Sequence, residues 1–475
     1  MILAPAIALV LLTILGLTLP HPVPGQFGIG YGAALSEFVA IEGVQAVFYA
    51  WACCLVLRGK TSLWLILGTA GLLRVLVVAW PPFLSNDLYR YIWDGWVELA
   101  GINPYRYLPV DQHIAFLRDT AVYPNINRAT YAHTIYPPAA EMFFAASAGL
   151  VRLAHLPPVL GLKLSMLAVE ALGIWAMVKL LTAARLPRAW VLIYAWNPVP
   201  VWEFAGSGHV DALVVGMFAL ALLWAGTGQR RLAMAALAGA VLAKFLPVIF
   251  FPALWRRWDV WAAGLFVAVI LLAYVPYLGV GLGVFGFLSG YTQQEHLSSG
   301  TGVYWLNVIG LLIPLSKIVT VTYFAVLAMI LGLLAARMMF APAPSVTLMC
   351  QRCLLLGGIA MAGLSPHFSW YYPFLLVPAV IAPSAAAIYL VTSSGLLYLD
   401  PSHTGLFWQS FVFIPAIVIA GFARPPSDTP ERKPVFFEPR RRPDADCAAK
   451  IAPSSGRENQ KTSVKLARGG ETSAV

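Results

Sequence analysis

Apolar runs near the length of a bilayer-crossing helix, about 20 residues, recur along the chain as far as Phe422, and short turns carrying arginine and lysine separate them. A backbone inside lipid has to satisfy its own hydrogen bonds, so such runs fold as helices. The pattern predicts an all-α polytopic membrane protein of about 12–14 transmembrane segments. Composition agrees: of 475 residues 60% are hydrophobic and 11% charged, with mean hydropathy +0.76. Soluble domains carry about 25% charged residues.

Spans are expected at 1–20, 36–57, 61–80, 160–181, 189–206, 211–227, 259–279, 318–340 and 347–364, with three shorter passes between 371 and 422. The first reads as a retained span, since no charge precedes its apolar run and no convincing small-residue cleavage site follows. Arg58 and Lys60, Arg185 and Arg188, Arg230 and Arg231, and Arg256 and Arg257 mark cytoplasmic turns by the positive-inside rule. Residues 231–255 have a basic pair at each end, so they read as a hairpin bent near Lys244-Phe245-Leu246-Pro247. Segment 81–136 then becomes a long extracytoplasmic loop. The run 137–156 is apolar enough to insert as a span, but that would put Arg185 and Arg188 outside, so a second interfacial helix with Glu141 in its first turn is preferred.

Residues 1–423 form the membrane domain on this reading. Residues 424–475, rich in Pro, Arg, Ser and Lys, are expected to be a disordered cytoplasmic tail. Much of the net charge of +10 lies in the turns and that tail, so it does not point to nucleic acid. The five cysteines give no disulfide framework. Cys350 and Cys353 have CxxC spacing but open an apolar run beside Arg352, where a zinc or redox role is not expected.

Carboxylates are scarce except in Ser85-Asn86-Asp87-Leu88-Tyr89-Arg90-Tyr91-Ile92-Trp93-Asp94-Gly95. As a helix, this stretch puts Asp87, Arg90, Tyr91, Asp94 and Glu98 on one face and Leu88, Ile92, Trp96 and Leu99 on the other. That describes an amphipathic helix in the bilayer interface, its acids toward water or a cavity. An ordinary interfacial helix with solvated charges gives the same local pattern. Asp94, one helical turn beyond Arg90, is expected to orient it. The two aspartates also offer a pair of ligands to a divalent ion such as Mg or Mn, though no spacing demands one.

Other polar residues gather on the outer face: Asn103, Tyr105, Tyr136, Glu141, Glu203, His209, Asp211, Glu295, His296 and His367. Glu42, Arg74, Glu170 and Lys244 fall at membrane depth, where an ionisable group needs a partner or a function. Glu42 and Glu170 are expected to pair with neighbouring spans, and Lys244 either snorkels or contacts substrate. His209 and Asp211 alternatively cap the helix starting near 211. His296 also reads as a plain loop histidine.

A cavity edged with carboxylates, bases and aromatics at the outer face suits a lipid-linked substrate whose tail stays in the bilayer. For glycosyl transfer an aspartate takes the proton from the acceptor hydroxyl, and cationic groups stabilise the phosphate leaving group. A transporter or lipid flippase is the alternative from another class. Those often have repeated halves and midplane charges, whereas this chain has no repeat and its polar residues cluster at one face. A non-catalytic scaffold for cell-envelope synthesis would leave Asp87 and its surroundings unexplained.

The phrase from Asp87 to Gly95, with Gly101-Ile102-Asn103-Pro104-Tyr105 and Tyr136-Pro137-Pro138, resembles the first outer loop of GT-C glycosyltransferases. It is most similar to the bacterial polyprenol-phosphate-mannose-dependent mannosyltransferases and the family 87 enzymes. Gly208-His209-Val210-Asp211-Ala212 looks like their second outer loop, and Ala243-Lys244-Phe245-Leu246-Pro247 like their cytoplasmic hairpin. Ser365-Pro366-His367-Phe368-Ser369-Trp370-Tyr371 is similar to a late outer-loop motif, also seen in the mannosyltransferase that builds GPI anchors.

The resemblance covers roughly residues 60–400. It implies transfer of a hexose, mannose favoured, from a polyprenyl-phosphate sugar to a lipid or glycan acceptor, with inversion. The site would face the periplasm or outside of a bacterial plasma (inner) membrane, among membrane lipids. Asp87 maps to the general base, with Asp94 and His367 as further catalytic candidates. Arg90, Tyr91, Asn103, Tyr105, Tyr136, Glu141, His209, Asp211, Lys244, His296 and Trp370 are the expected substrate contacts. Members with a large soluble C-terminal domain differ from this sequence, so no carbohydrate-binding module is expected.

Overall fold

The computed structural model describes residues 1–20, 31–59, 61–400 and 405–422. The chain divides into Met1–Asp428 and Thr429–Val475. The second unit, and with it the expected tail, lies outside the described residues. Among the described residues every regular element is a helix. The N-terminal half carries α1 (Leu3–Gly16), α2 (Tyr31–Arg58), α3 (Leu63–Val78), α4 (Asp87–Leu99), α5 (Pro138–Leu153), α6 (Pro158–Ala183) and α7 (Asp211–Gly226). It continues with α8 (Arg230–Ala243), α9 (Val260–Tyr274), α10 (Lys317–Phe340), α11 (Val346–Leu364), α12 (Ala385–Ser393) and α13 (Leu406–Gly421). Among the described residues five helical stretches are long and apolar enough to cross a membrane, and five shorter apolar helices accompany them, so the chain is an all-α polytopic membrane protein.

The expected span 189–206 is not one helix. It is Arg188–Val191, Leu192–Ala195 and Pro198–Pro200, then a π-helical turn over Val201–Gly206. Pro198 and Pro200 remove backbone donors, and Asn197 accepts from the Val199 N–H instead, so a continuous ladder is unavailable. The segment from Val191 to Gly206 is buried throughout. Irregular backbone at membrane depth is tolerated only inside protein.

Spans α6 and α7 meet at glycines. A Cβ on Gly173 would lie 3.1 Å from Gly216 Cα, and one on Gly216 would lie 2.5 Å from Val169 Cγ1. Small residues let helices in lipid approach closely and gain packing contact. Buried Arg74 of α3 is held by Glu170 of α6, with Nε to Oε2 at 2.8 Å and Nη2 to Oε1 at 2.6 Å. Tyr194 Oη donates to the same Oε1 at 3.0 Å, so Glu170 serves the pairing between spans. Glu42 sits against Gly395, where a Cβ would come within 2.0 Å of Oε2.

The bent hairpin is present. Helix α8 ends at Ala243, Lys244 is extended, and short turns at Leu246–Phe250 and Phe251–Leu254 lead back. Arg230 Nη1 and Asp259 Oδ2, 3.5 Å apart, join the two ends. The tip does not lie with the basic ends. Lys244 reaches Asp211, at the turn before α7. It therefore stands beside the turn before α7 and the Tyr371 ring, and it is ion-paired instead of snorkelling.

Of the two surroundings open to the polar face of α4, water or a cavity, the structure encloses it: Arg90, Tyr91 and Asp94 are buried, and Asp87 is partly so. The cause is α5. A Cβ on Gly95 would fall 2.5 Å from the Phe144 carbonyl oxygen, and the Tyr91 and Phe144 rings stack at 4.7 Å.

Candidate active site

Asp87 is the first residue of α4, where a negative charge is favoured by the helix dipole. Its backbone N–H donates to Ser85 Oγ at 3.1 Å. Asn127 Nδ2, from the long loop between α4 and α5, donates to Asp87 Oδ1 at 2.5 Å and to Asn86 Oδ1 at 3.1 Å. One carboxylate oxygen is thus fixed while the group keeps partial exposure. Such a carboxylate is suited to receive a proton from a hydroxyl brought to its other oxygen.

Two turns along α4, Asp94 does orient Arg90. The guanidinium Nε lies 2.8 Å from Oδ1 and 2.9 Å from Oδ2, and Nη1 donates to the Ala132 carbonyl at 2.9 Å. Beside this pair Thr134 Oγ1 donates to Glu141 Oε1 at 2.6 Å, and Oε2 is buried without a hydrogen bond. Burial, then the charge of Asp94, holds the Glu141 carboxyl well above the ordinary carboxylate range. Burial raises the Asp94 carboxyl too, and the Arg90 guanidinium against it pulls it back down.

A second cluster lies against the start of α4. The π-helical turn at Val201–Gly206 and Gly208, with φ +73°, bring Glu203 and His209 face to face. Only glycine fits at 208: a Cβ there would be 2.3 Å from Leu88 Cδ1. Glu203 Oε1 accepts from Tyr398 Oη at 2.6 Å and from Ser369 Oγ, and its Oε2 lies 3.6 Å from His209 Nε2. His209 Nδ1 is 3.4 Å from Tyr91 Oη, and its ring stacks on Trp370 at 4.0 Å. Burial, then the charge of Lys244, pushes His209 well below the usual imidazole value, so it is neutral. Lys244 Nζ lies 2.9 and 2.8 Å from the two Asp211 oxygens and 3.7 Å from the Tyr371 ring centroid. Asp211 contributes no side-chain cap to α7.

The two clusters bring together Asp87, Arg90, Tyr91, Asp94, Glu141, His209, Asp211, Lys244 and Trp370. Tyr136 meets Tyr91 edge-on at 5.0 Å and joins them. Asn103 and Tyr105 brace the loop one layer out. Asn103 Nδ2 donates to the Tyr277 carbonyl at 3.0 Å, and Tyr105 Oη to the Tyr136 carbonyl at 2.6 Å. His367 is buried, its ring nitrogens 3.0 Å from Glu295 Oε2 and 2.8 Å from the Gly302 carbonyl, and it ties the late motif to the preceding outer loop. His296 is exposed in a left-handed turn and belongs to neither cluster.

Asp87 and Asp94 do not share a site, because both Asp94 oxygens face Arg90. Among the described residues no three His, Cys, Asp or Glu side chains converge with metal-ligand spacing. Asn127, Arg128, Ser369 and Tyr398 are site residues that the sequence reading did not select. The one local signal was Asn125-Ile126-Asn127-Arg128, a polar cluster within the outer loop.

The model of one protein family, described as alpha-(1->6)-mannopyranosyltransferase, N-terminal domain, matches residues 11–260, more than half of the chain. The chain belongs to that family. The matched residues hold α4 whole, Asn127, the π-helical turn, Asp211 and the Lys244 hairpin tip. The late motif with His367 and Trp370 follows them. A 234-residue stretch is 25% identical to alpha-(1->6)-mannopyranosyltransferase A of Mycobacterium tuberculosis, covering 48% of this chain and 44% of the relative. The chain thus spans less than half the length of the curated relative it matches. No solved structure matches it.

Proposed function

We propose that this chain is a membrane mannosyltransferase. It moves a mannosyl group from a polyprenyl-phosphate sugar to a lipid or glycan hydroxyl, on the extracytoplasmic face of a bacterial inner membrane. Family membership supports the sugar, and the relative's printed name supports an alpha-(1->6) linkage. The observation that carries the reading is Asp87, partly exposed at the head of α4 with one oxygen fixed by Asn127.

In this reading Asp87 takes the acceptor hydroxyl proton as that oxygen bonds to the anomeric carbon. The bond from that carbon to the phosphate oxygen breaks, and its electron pair leaves with the polyprenyl phosphate. A single displacement inverts the anomeric carbon, so an alpha-linked product requires a beta-linked donor. Residues 1–423 carry the chemistry, and 424–475 are not needed for it.

The test is transfer by the purified protein with beta- and alpha-linked polyprenyl-phosphate mannose supplied separately. Mannosylated product is expected from the beta donor only. Equal use of the alpha donor would contradict a single inverting displacement.

A further inference from the structure

A cavity lined in part by Asn127, the partner of Asp87, remains unused by the roles given above. Arg90, Asn127, Arg128, His133, Tyr136 and Tyr291 are among its lining residues. Its donors are under-used. Arg90 Nη2 and His133 Nδ1 are buried and make no hydrogen bond, although the Arg90 side chain is only 6% exposed. Arg128 spends Nε on Gln294 Oε1 at 2.8 Å, and its two terminal nitrogens make no hydrogen bond among the described residues. Buried donors without partners are uncommon in folded proteins and mark places where a ligand completes the set.

Arg128 has φ +55°, a left-handed conformation that arginine rarely adopts. The residue before it, Asn127, is bonded to Asp87, so the left-handed turn directs the next side chain into the cavity. Strain of this kind persists where the surroundings over-determine it, and it gathers at ligand sites. Burial works against the Arg128 charge, but Asp87, Tyr136 and other neighbours hold its pKa above the usual value. Arg128 and Asp87 therefore sense one another without forming an ion pair.

We infer that this cavity binds the phosphodiester of the lipid-linked donor, and that Arg128, with the free edge of Arg90, holds the phosphate as it departs. The inference rests on the transferase reading and adds the residues that hold the leaving group. Arginine suits the role because its planar fork meets two phosphate oxygens at once. His133, its pKa lowered by burial and then by Arg90, adds a neutral contact. A phosphate-bearing lipid acceptor offers the same chemistry, so the test separates the two sources.

Binding of undecaprenyl phosphate, the leaving group itself, is measured on the full chain in detergent, with undecaprenol as the phosphate-free control. Arg128→Asn suits the left-handed backbone, and Arg128→Lys keeps the charge but not the fork. Each variant must match the wild-type melting temperature. Loss of a charge-assisted contact corresponds to weakening on the order of ten-fold. The wild type should prefer the phosphate over the alcohol by at least that factor. Arg128→Asn should lose the preference, and Arg128→Lys should fall between. Equal binding of undecaprenyl phosphate by well-folded Arg128→Asn overturns the inference. So does loss, in that variant, of binding to an anionic phospholipid acceptor alone. The binding assay needs no sugar transfer: a wild type that binds the phosphate with this dependence yet never transfers mannose refutes the transferase reading and leaves the site standing.

Discussion

Asp87 and Asp94 share one helix face and do different work. Asp87 faces the partly open site with one oxygen fixed, so Asp87→Asn removes a proton acceptor while keeping shape. Turnover should fall about 10²–10⁴-fold with little change in melting temperature, read by transfer assay and thermal unfolding. Asp94 is buried against Arg90, and breaking such a pair from one side costs about 3–5 kcal/mol. Asp94→Ala should therefore lower the melting temperature well below that of Asp87→Asn. Equal melting temperatures would show that the pair is not structural. Glu141 gives a prediction in pH. Its pKa is raised by folding, so the stability it contributes is present below its unfolded value and lost as pH rises through the folded value. Glu141→Gln, which mimics the protonated acid, should flatten the loss of stability with rising pH that Glu141 gives the wild type.

Among the elements, α4 was the most legible. Five polar positions on one face announced a helix, and the spacing of Arg90 and Asp94 announced their pairing. Its burial was not legible, because period alone cannot say whether the polar face meets water or another helix, and α5 is what covers it. The break at 189–206 was hidden for a related reason: the apolar composition matched a span, and two prolines outweighed it. Gly95→Ala tests the α4–α5 contact. The obstacle is the Phe144 carbonyl, which is backbone and cannot swing away, so overpacking should cost about 1–3 kcal/mol and displace Asp87. Gly332→Ala on α10, with nothing within 4 Å, should be neutral in both stability and transfer. Equal effects at the two glycines would contradict the close approach.

Across the whole molecule, the basic turns located the hairpin correctly, while its tip escaped the sequence reading. Lys244 and Asp211 are far apart in the chain, and nothing local to either predicts their contact. Asn127 and Arg128 escaped for the same reason. The basic ends still predict which side of the membrane each loop faces. In a cysteine-free background, Gln112→Cys in the long loop should react with an impermeant thiol reagent added outside, and Gln229→Cys beside the hairpin ends should not; both positions are exposed. Labelling of Gln229→Cys from outside would put the site in the wrong compartment. The central claim, transfer from a lipid-linked donor at Asp87, is tested most directly with purified protein and labelled beta-linked polyprenyl-phosphate mannose as the only sugar source. Wild type should form mannosylated acceptor and release polyprenyl phosphate in equal amounts, Asp87→Asn should form at most about a hundredth as much per unit time, and GDP-mannose alone should give none. Wild-type turnover with GDP-mannose alone, or near-normal turnover by well-folded Asp87→Asn, would contradict the account.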